Sequence, residues 1–414
     1  MKTALRSGRA QTWAAAAAAL GAWLTVMPGA ILTLALTFSE KFDQELTTEY
    51  SFIFAAGWTT LIASLFIGGL LVDAMRKRDG GNRVLIIGAA VAMVLISPWL
   101  TGATTPMALA FWWCLAQIPA GFIVVVANAE AGLRAVQDPG SNASGIVGAS
   151  ALVSLAVGTA FVSIAGADSE YVFIGPAIVG LLLCLPLIMT IQKDASGISA
   201  TQTKNRGVPR FIVAASLVSF ATSTISTYIV PYTEHYVDSG NNAEFLSVSA
   251  AMISATLSLI FTVIGGHLSI TLKRISLIFN VGASCVAVAL VISVVARNAP
   301  VMFLAASLMG IGFGLANGVE INAVTRLAAH STQLATNMGA LAAATTLPYV
   351  ITPTLGLILT VHLKELTVLL LFILGALGSL VAILLFRNFT ELPPTEKLTS
   401  TLLSLRWPKS PGRG

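Results

Sequence analysis

Three acidic residues within or at the ends of long apolar runs are the first indication of the chemistry available to this chain. Asp73 ends one run, Glu130 lies near the end of a second and Glu320 lies near the end of a third. On insertion scales an acid at the centre of a membrane helix costs about 2.5–3.5 kcal/mol, so each needs a partner or a function. A carboxyl group there can exchange a proton, or it can pair with a cation and hold two helices together.

Basic residues close to these acids favour the pairing with a cation. Arg134 follows Glu130 by four residues, which places both on one face of a helix. Arg326 follows Glu320 by six residues, too far for that geometry unless the helix ends between them. A nearby guanidinium keeps a carboxylate ionised, so we favour ion pairs that hold the helix ends together as a gate. A proton carrier at Glu130 or Glu320 is the alternative. The gating and proton-coupling candidates are Asp73, Arg76, Arg83, Glu130, Arg134, Glu320 and Arg326.

The apolar runs that carry these acids are typical of membrane helices. Apolar residues make up 56% of the 414 residues and charged residues 10%, with a mean hydropathy of +0.86. The runs have the length of roughly 20 residues that a helix needs to cross a bilayer, and they lack the alternation of a membrane β-barrel. The twelve predicted spans are 13–38, 51–72, 84–100, 107–130, 144–164, 171–191, 211–233, 245–271, 275–295, 301–324, 337–361 and 367–386.

The distribution of basic residues predicts the orientation of these spans. With the N-terminus in the cytoplasm, 20 of the 23 Lys and Arg residues lie on the cytoplasmic side. Only Lys41, Arg297 and Lys364 lie on the other side. Because basic flanks stay in the cytoplasm, we expect a multi-pass protein of the cell membrane with both termini cytoplasmic. These scattered flanks explain the pI near 9.2, and without a contiguous basic face we expect no nucleic-acid partner.

A polar connector predicts the domain organisation. Residues 192–210 are rich in Ser, Gly, Thr and Lys, as mobile linkers are. The connector separates a six-helix bundle at 1–191 from a second at 211–386, and a cytoplasmic tail follows at 387–414.

Short internal repeats indicate that the two halves are related. The sequence FIGGLL at 66–71 recurs as VIGGHL at 263–268, each at the end of the second span of its half. VANAE at 126–130 and LANGVE at 315–320 form a similar pair in the fourth spans. Weak symmetry between six-span halves is typical of duplicated transporters, whose binding site lies between the halves.

With these features the chain resembles the major facilitator superfamily. The hallmark of that family is Gly-x-x-x-Asp at the end of the second span, followed by a Gly and basic residues. Gly69 and Asp73 match it, and the basic residues that follow are Arg76, Lys77, Arg78 and Arg83. The loop is longer than usual, Ala74 stands where a basic residue is expected, and the Gly–Pro signature of many drug antiporters is missing from the fifth span. The resemblance implies an all-α membrane protein with twelve transmembrane helices in two pseudo-symmetric six-helix bundles.

The resemblance also implies a central cavity lined mainly by spans 1, 4, 7 and 10. Polar groups that face lipid are costly, so mid-span polar side chains should point into this cavity. The seventh span is the most polar, and Ser223 and Tyr228 are its preferred candidates. The substrate-binding candidates are Trp23, Trp58, Gln117, Ser223, Tyr228, Asn317, Thr346 and Tyr349. Since no Lys or Arg falls mid-span, these hydroxyls, amides and aromatic rings suit a neutral or amphipathic solute better than an anion.

These observations predict a secondary active transporter that moves a small neutral or amphipathic organic solute by alternating access. Proton-coupled efflux is slightly favoured, uptake of a sugar-like or other neutral nutrient is the alternative, and a non-transporting membrane sensor is a remote one. The histidines are scattered without the spacing of metal ligands, so we expect no enzyme, no metal site and no cofactor. The expected partners are the solute, the lipid bilayer and protons as a candidate coupling ion, and the protein is expected to be a monomer.

Overall fold

The computed structural model describes residues 2–28, 34, 48–76, 81–138, 141–165, 171–191, 207–237, 242–271, 274–328, 333–363 and 366–387. Within these ranges the regular secondary structure is helical, with one π-helical turn at Thr233–Val237 and no strand. The helices are α1 Lys2–Pro28, α2 Thr48–Met75, α3 Gly81–Thr101, α4 Pro106–Gln137, α5 Ala143–Gly148, α6 Ser150–Ala165, α7 Tyr171–Thr190, α8 Gly207–Tyr232, α9 Ala243–Thr271, α10 Ile275–Val295, α11 Ala299–Leu327, α12 Leu334–Thr346, α13 Pro348–Leu363 and α14 Leu366–Phe386.

Local sequence explains where the longest helices begin. The Thr105 side chain accepts a hydrogen bond from the Ala108 N–H at the start of α4, and Asn298 accepts one from Val301 at the start of α11. Each cap is followed by a proline in the first turn, where its missing N–H is not needed. Eleven stretches of the described chain, from α2 onward, are long and apolar enough to cross a membrane.

The fifth and eleventh predicted spans each consist of two helices. The fifth divides at Ala149 between α5 and α6, and the eleventh divides at Leu347 between α12 and α13. Pro348 accounts for the second break, because it has no N–H to donate to the carbonyl four residues before it. That carbonyl, of Ala344, instead accepts a hydrogen bond of 2.7 Å from the Ser216 hydroxyl on α8.

The helices form two bundles, as the sequence predicted. In the first half α1 packs against α4, α6 and α7, and α4 also contacts α2 and α3. In the second half α11 packs against α9 and α10, while α14 packs against α8 and α10. The exact limits of the bundles remain a prediction, since residues 192–206 of the connector and 388–414 of the tail lie outside the described residues.

The glycine pairs of the internal repeat have matching positions in the two halves. A methyl group on Gly68 would lie 2.9 Å from the Phe122 ring on α4, and one on Gly265 would lie 2.9 Å from the Leu315 carbonyl oxygen on α11. The second glycine of each pair faces the other half. A methyl group on Gly69 would lie 2.7 Å from the Ala335 carbonyl oxygen on α12, and one on Gly266 would meet α5. The repeat therefore marks the close helix crossings that join each half internally and to its partner.

Candidate functional site

Asp73 joins the two halves at the end of the molecule where α2 and α4 end and α12 begins, which we call the basic end. Its carboxylate accepts hydrogen bonds from the Ala335 N–H at 3.1 Å, the Thr336 N–H at 2.8 Å and the Thr336 hydroxyl at 2.7 Å. A negative charge is favourable at a helix N-terminus, where backbone N–H groups lack partners and the helix dipole is positive. Asp73 therefore holds the start of α12 against α2.

Two glycines allow α2 and α12 to approach closely enough for these bonds. Gly69 lies one turn before Asp73, against Ala335 and Thr336. Gly339 lies on the facing side of α12, where a methyl group would lie 2.4 Å from the Leu65 carbonyl oxygen. Because the obstructing atoms belong to the backbone, a side chain at either position would push the helices apart.

Arg76 connects Asp73 to Glu130. Its Nη1 lies 3.9 Å from the Asp73 carboxylate and its Nη2 lies 3.9 Å from the Glu130 carboxylate on α4. These three side chains are only 12–18% exposed, and the Asn82 side chain is a further hydrogen-bond partner of Glu130. Arg134 interacts electrostatically with Glu130 and donates a hydrogen bond to the Gln137 side chain. Asp73, Arg76, Glu130 and Arg134 thus form one charged cluster.

The remaining gating candidates lie apart from this cluster. Arg83 donates from Nε to the Ile188 carbonyl oxygen at 2.8 Å, which satisfies an open carbonyl at the end of α7 within the first half. Arg326 lies in the last turn of α11, and within the described part of the chain no ion pair joins it to Glu320. The two acids singled out from the fourth and tenth spans therefore have different surroundings.

A second, uncharged crossing joins the halves between α5 and α9. The Asn142 side chain, at the start of α5, donates to the Val263 carbonyl oxygen at 3.0 Å. Next to it Gly145 packs against Gly266, whose added methyl group would lie 2.6 Å from the Gly145 Cα. This crossing corresponds by symmetry to the one between α2 and α12, but an amide replaces the carboxylate.

Asn317 adds to this crossing. Its Nδ2 donates to the Gly148 carbonyl oxygen at 3.2 Å, at the break between α5 and α6. Asn317 was predicted as a substrate ligand, and in this conformation its amide joins α11 to the opposite half.

An aromatic pair closes the interface between the halves nearer to the middle of the spans. The Trp58 ring on α2 stacks on the Tyr349 ring on α13, with centroids 5.7 Å apart and planes inclined by 15°. Trp58 is buried, and its indole N–H has no hydrogen-bond partner among the described residues. Trp58 and Tyr349 therefore join α2 to α13 across the interface between the halves.

Gln117 lies inside the first half. It is 1% exposed, and its Nε2 has no partner among the described residues. It borders a small cavity between α1, α3, α4 and α7, where Thr25 and Ser97 add hydroxyl groups. A polar cavity of this kind suits an ordered water.

The other substrate-binding candidates have hydrogen bonds or packing contacts within one half. Ser223 is buried and shares a 2.5 Å hydrogen bond with Thr352, which joins α8 to α13. The Tyr228 hydroxyl packs against Gly356, and Thr346 donates to the Ala342 carbonyl oxygen of its own helix at 2.7 Å. Trp23 is partly buried and packs against the core of the first half. A role for them in binding remains a prediction.

Sequence reasoning missed Thr336, Asn142 and Gly148 as residues that join the halves. Thr336 and Asn142 lie at or near helix starts, and each is followed three residues later by a glycine. That shared spacing is a signal in the sequence, although it does not specify which helix the glycine faces. Within the described residues no group of three His, Cys, Asp or Glu side chains is arranged to hold a metal ion.

Two bundles of membrane helices, joined at one end by the charged cluster, are the architecture of a secondary transporter. The sequence model of the Major Facilitator Superfamily matches residues 12–335, most of the chain. The protein belongs to this superfamily. A search of curated protein sequences finds no significant match.

Solved structures of other superfamily members share the fold. A Major Facilitator Superfamily transporter, FucP, in the outward conformation has a TM-score of 0.70 at 12% identity, over 92% of this chain and 99% of its own. The human organic anion transporter MFSD10 gives 0.70 at 11% identity over 92% and 99%. The proton:xylose symporter XylE gives 0.70 at 14% identity over 94% and 97%. At these identities the likeness concerns the fold.

Proposed function

We propose that this protein moves a small neutral or amphipathic organic solute across the cell membrane by alternating access. The solute binds between the halves, near Trp58 and Tyr349. The observation that carries the proposal is that the halves meet at the basic end through small, separable contacts. These are the hydrogen bonds that Asp73 accepts from α12 and the hydrogen bonds that the Asn142 and Asn317 side-chain amides donate.

The basic end acts as a gate in this proposal. With the basic end in the cytoplasm, the described conformation is closed on that side. Opening requires Asp73 to release the start of α12 and Gly69 to separate from Ala335. The charges of Asp73, Arg76 and Glu130 then become hydrated, which offsets part of the lost interaction energy. Rocking of the two bundles about the central site exposes the solute to each side in turn.

Glu320 is our candidate for the coupling of transport to protons, and Glu130 is our candidate for the gate. Glu130 has Arg76 as an ionic partner at 3.9 Å. Glu320 has no such partner in the described part of the chain, and a lone acid in a membrane protein is a functional candidate. The charge of Glu320 can therefore change without breaking the gate.

Efflux is the slightly preferred direction, because the substrate-binding candidates are rich in aromatic rings. Uptake of a neutral nutrient is the second candidate, and a buried donor without an acceptor favours it. The indole N–H of Trp58, which lies between the halves, lacks an acceptor among the described residues. Hydroxyl oxygens of a sugar-like solute would satisfy donors of this kind.

A thermal-shift screen of the purified protein against a compound library tests the proposal. The screen is run at a mildly acidic and at a mildly alkaline pH. A substrate at about 100 times its Kd should stabilise the folded state by about 2.7 kcal/mol. We expect stabilisation by one chemical class, with an affinity that depends on pH in the natural protein and loses that dependence in Glu320→Gln. If no class of organic solute stabilises the protein at either pH, the proposed function is wrong.

A further inference from the structure

We infer that the cavity beside Gln117 is a binding site for one water molecule, which joins three helices of the first half. The water is held by the Gln117 amide on α4 and by the hydroxyl groups of Thr25 on α1 and Ser97 on α3. All the residues that line the cavity belong to the first half, so this site is separate from the proposed solute site between the halves. The inference therefore does not depend on the proposed function.

Gln117 brings a hydrogen-bond donor into the cavity. The residue is 1% exposed, and its Nε2 has no partner among the described residues. Its backbone is held in place, because its carbonyl oxygen accepts a hydrogen bond of 3.2 Å from the Ser64 hydroxyl on α2. A buried donor without an acceptor is destabilising, so a small molecule that supplies the acceptor is favoured at this position.

Thr25 and Ser97 bring hydrogen-bond acceptors to the same cavity. The Thr25 hydroxyl donates to the Ala22 carbonyl oxygen at 2.7 Å, and the Ser97 hydroxyl donates to the Val94 carbonyl oxygen at 2.9 Å. The Val94 carbonyl is open to this bond because Pro98 has no N–H to donate to it. Since each hydroxyl hydrogen is used within its own helix, each hydroxyl oxygen accepts from a ligand in the cavity.

One water molecule matches both the groups and the space. It accepts from the Gln117 Nε2 and donates its two hydrogens to the Thr25 and Ser97 oxygens, which gives the roughly three hydrogen bonds typical of buried waters. The cavity offers about 20 Å³ to the centre of a water molecule, and one water needs about 10–15 Å³. No charged side chain is among the described residues that line the cavity, so an ion there would be uncompensated.

The water links α1, α3 and α4 where two of these helices lose backbone hydrogen bonds. Pro98 follows Ser97 in α3, and Pro119 lies two residues after Gln117 in α4. Inside a membrane, ordered waters and Ser or Thr side chains replace such bonds, because lipid cannot. The water thus stabilises the part of the first half that lies away from the basic end, and it stays in place whether the basic end is open or closed.

Hydroxyl-radical footprinting of the full chain in nanodiscs, with radicals formed by X-ray radiolysis of water, tests the inference. Radicals form from ordered waters as well as from bulk water, so a buried side chain beside an ordered water is oxidised. Met93 lines the cavity and is 4% exposed, whereas Met309 is 2% exposed, lies in the second half and does not line the cavity. We expect Met93 to be oxidised several-fold faster than Met309.

Gln117→Leu removes the donor and places an apolar side chain against the cavity, so the oxidation rate of Met93 should fall to that of Met309. An unchanged Met309 rate shows that the variant is folded. Gln11→Leu is the matched control, because Gln11 is also buried in the first half but donates to the Thr190 carbonyl oxygen at 2.9 Å, near the basic end. Gln11→Leu should leave the Met93 rate unchanged.

Two results would overturn the inference. Equal oxidation of Met93 and Met309 in the natural protein would show that the cavity is dry, without recourse to any variant. Undiminished oxidation of Met93 in Gln117→Leu would show that the amide does not hold the water.

The same experiment separates the water site from the proposed gate. Met338 is 1% exposed and packs against Gly132 between the halves, so Asp73→Asn should raise its oxidation rate and leave that of Met93 unchanged. If the Met338 rate does not rise, the gate is wrong and the water site stands. If the Met338 rate rises but Met93 is oxidised no faster than Met309, the water site is wrong and the gate stands. A Met93 rate that changes together with that of Met338 would show that the water does not stay in place.

Discussion

Asp73 and Glu130 differ in how directly each contacts the opposite half at the basic end. The Asp73 carboxylate accepts three hydrogen bonds of 2.7–3.1 Å from the opposite half. Glu130 contacts the Arg76 guanidinium at 3.9 Å, and Arg76 belongs to the same half as Glu130. A hydrogen bond to a charged group contributes about 1.5–3 kcal/mol to stability, whereas a partly exposed ion pair contributes about 1 kcal/mol or less.

We therefore expect Asp73→Asn to open the basic end more than Glu130→Gln does. The ratio of open to closed molecules should rise about tenfold or more for Asp73→Asn and a few-fold for Glu130→Gln. The measurement is the labelling rate of a single cysteine at Met338, in a background where Cys114, Cys184 and Cys285 are serine. Glu234→Gln should leave the rate unchanged. An unchanged rate in Glu130→Gln would remove that residue from the gate.

At the scale of helices, the close crossings are where we expect elements to separate in the proposed mechanism. The crossing of α2 with α12 and the crossing of α5 with α9 both depend on glycine, and both lead into a broken span. The breaks at Ala149 and Leu347 divide each of these spans into a part that contacts the other half and a part that continues across the membrane. In the proposed mechanism, the contacts of the short helices α5 and α12 change when the gate opens.

Gly69→Ala should weaken the crossing between α2 and α12. The added methyl group meets the Ala335 carbonyl oxygen at 2.7 Å, and because this is a backbone atom the helices must separate. Forced overpacking costs about 1–3 kcal/mol, so labelling at Met338 should accelerate by about an order of magnitude. Gly88→Ala is the control, because its methyl group would meet nothing within 4 Å. Equal labelling rates in the two variants would show that this crossing does not hold the gate.

At the scale of the whole molecule, the predicted orientation in the membrane determines which side of the membrane the gate closes. Arg83, Arg134 and Arg326 lie in the first or last turns of their helices at the basic end, and the positive-inside bias predicts that this end faces the cytoplasm. Arg297 lies at the opposite end, between α10 and α11, where it covers the Tyr236 ring at 5.3 Å.

Reporter fusions test this orientation. A fusion within the connector at 192–210 should be active only as a cytoplasmic reporter, and a fusion at Arg297 only as an exported one. A connector on the outer side would reverse the gate, and a connector and an Arg297 loop on the same side would contradict the number of spans between them.

The sequence by itself determined the helical membrane fold with its two halves, and it indicated which charged residues lie near the helix ends. These follow from properties that lie along the chain: apolar length, the positions of basic residues, and acids placed near arginines by helical spacing. The pairing of Glu130 with Arg76 was less evident, because it depends on two helices that are distant in sequence.

Only the tertiary structure decided how the halves meet. The partners of Asp73 at the start of α12, the amide contacts of Asn142 and Asn317, and the stacking of Trp58 on Tyr349 each join residues more than a hundred positions apart. No local pattern encodes such a contact, because a helix presents several faces and the packing of the whole bundle selects the one that meets a given neighbour. For the same reason the sequence did not distinguish Glu130, which has a guanidinium partner, from Glu320, which has none among the described residues.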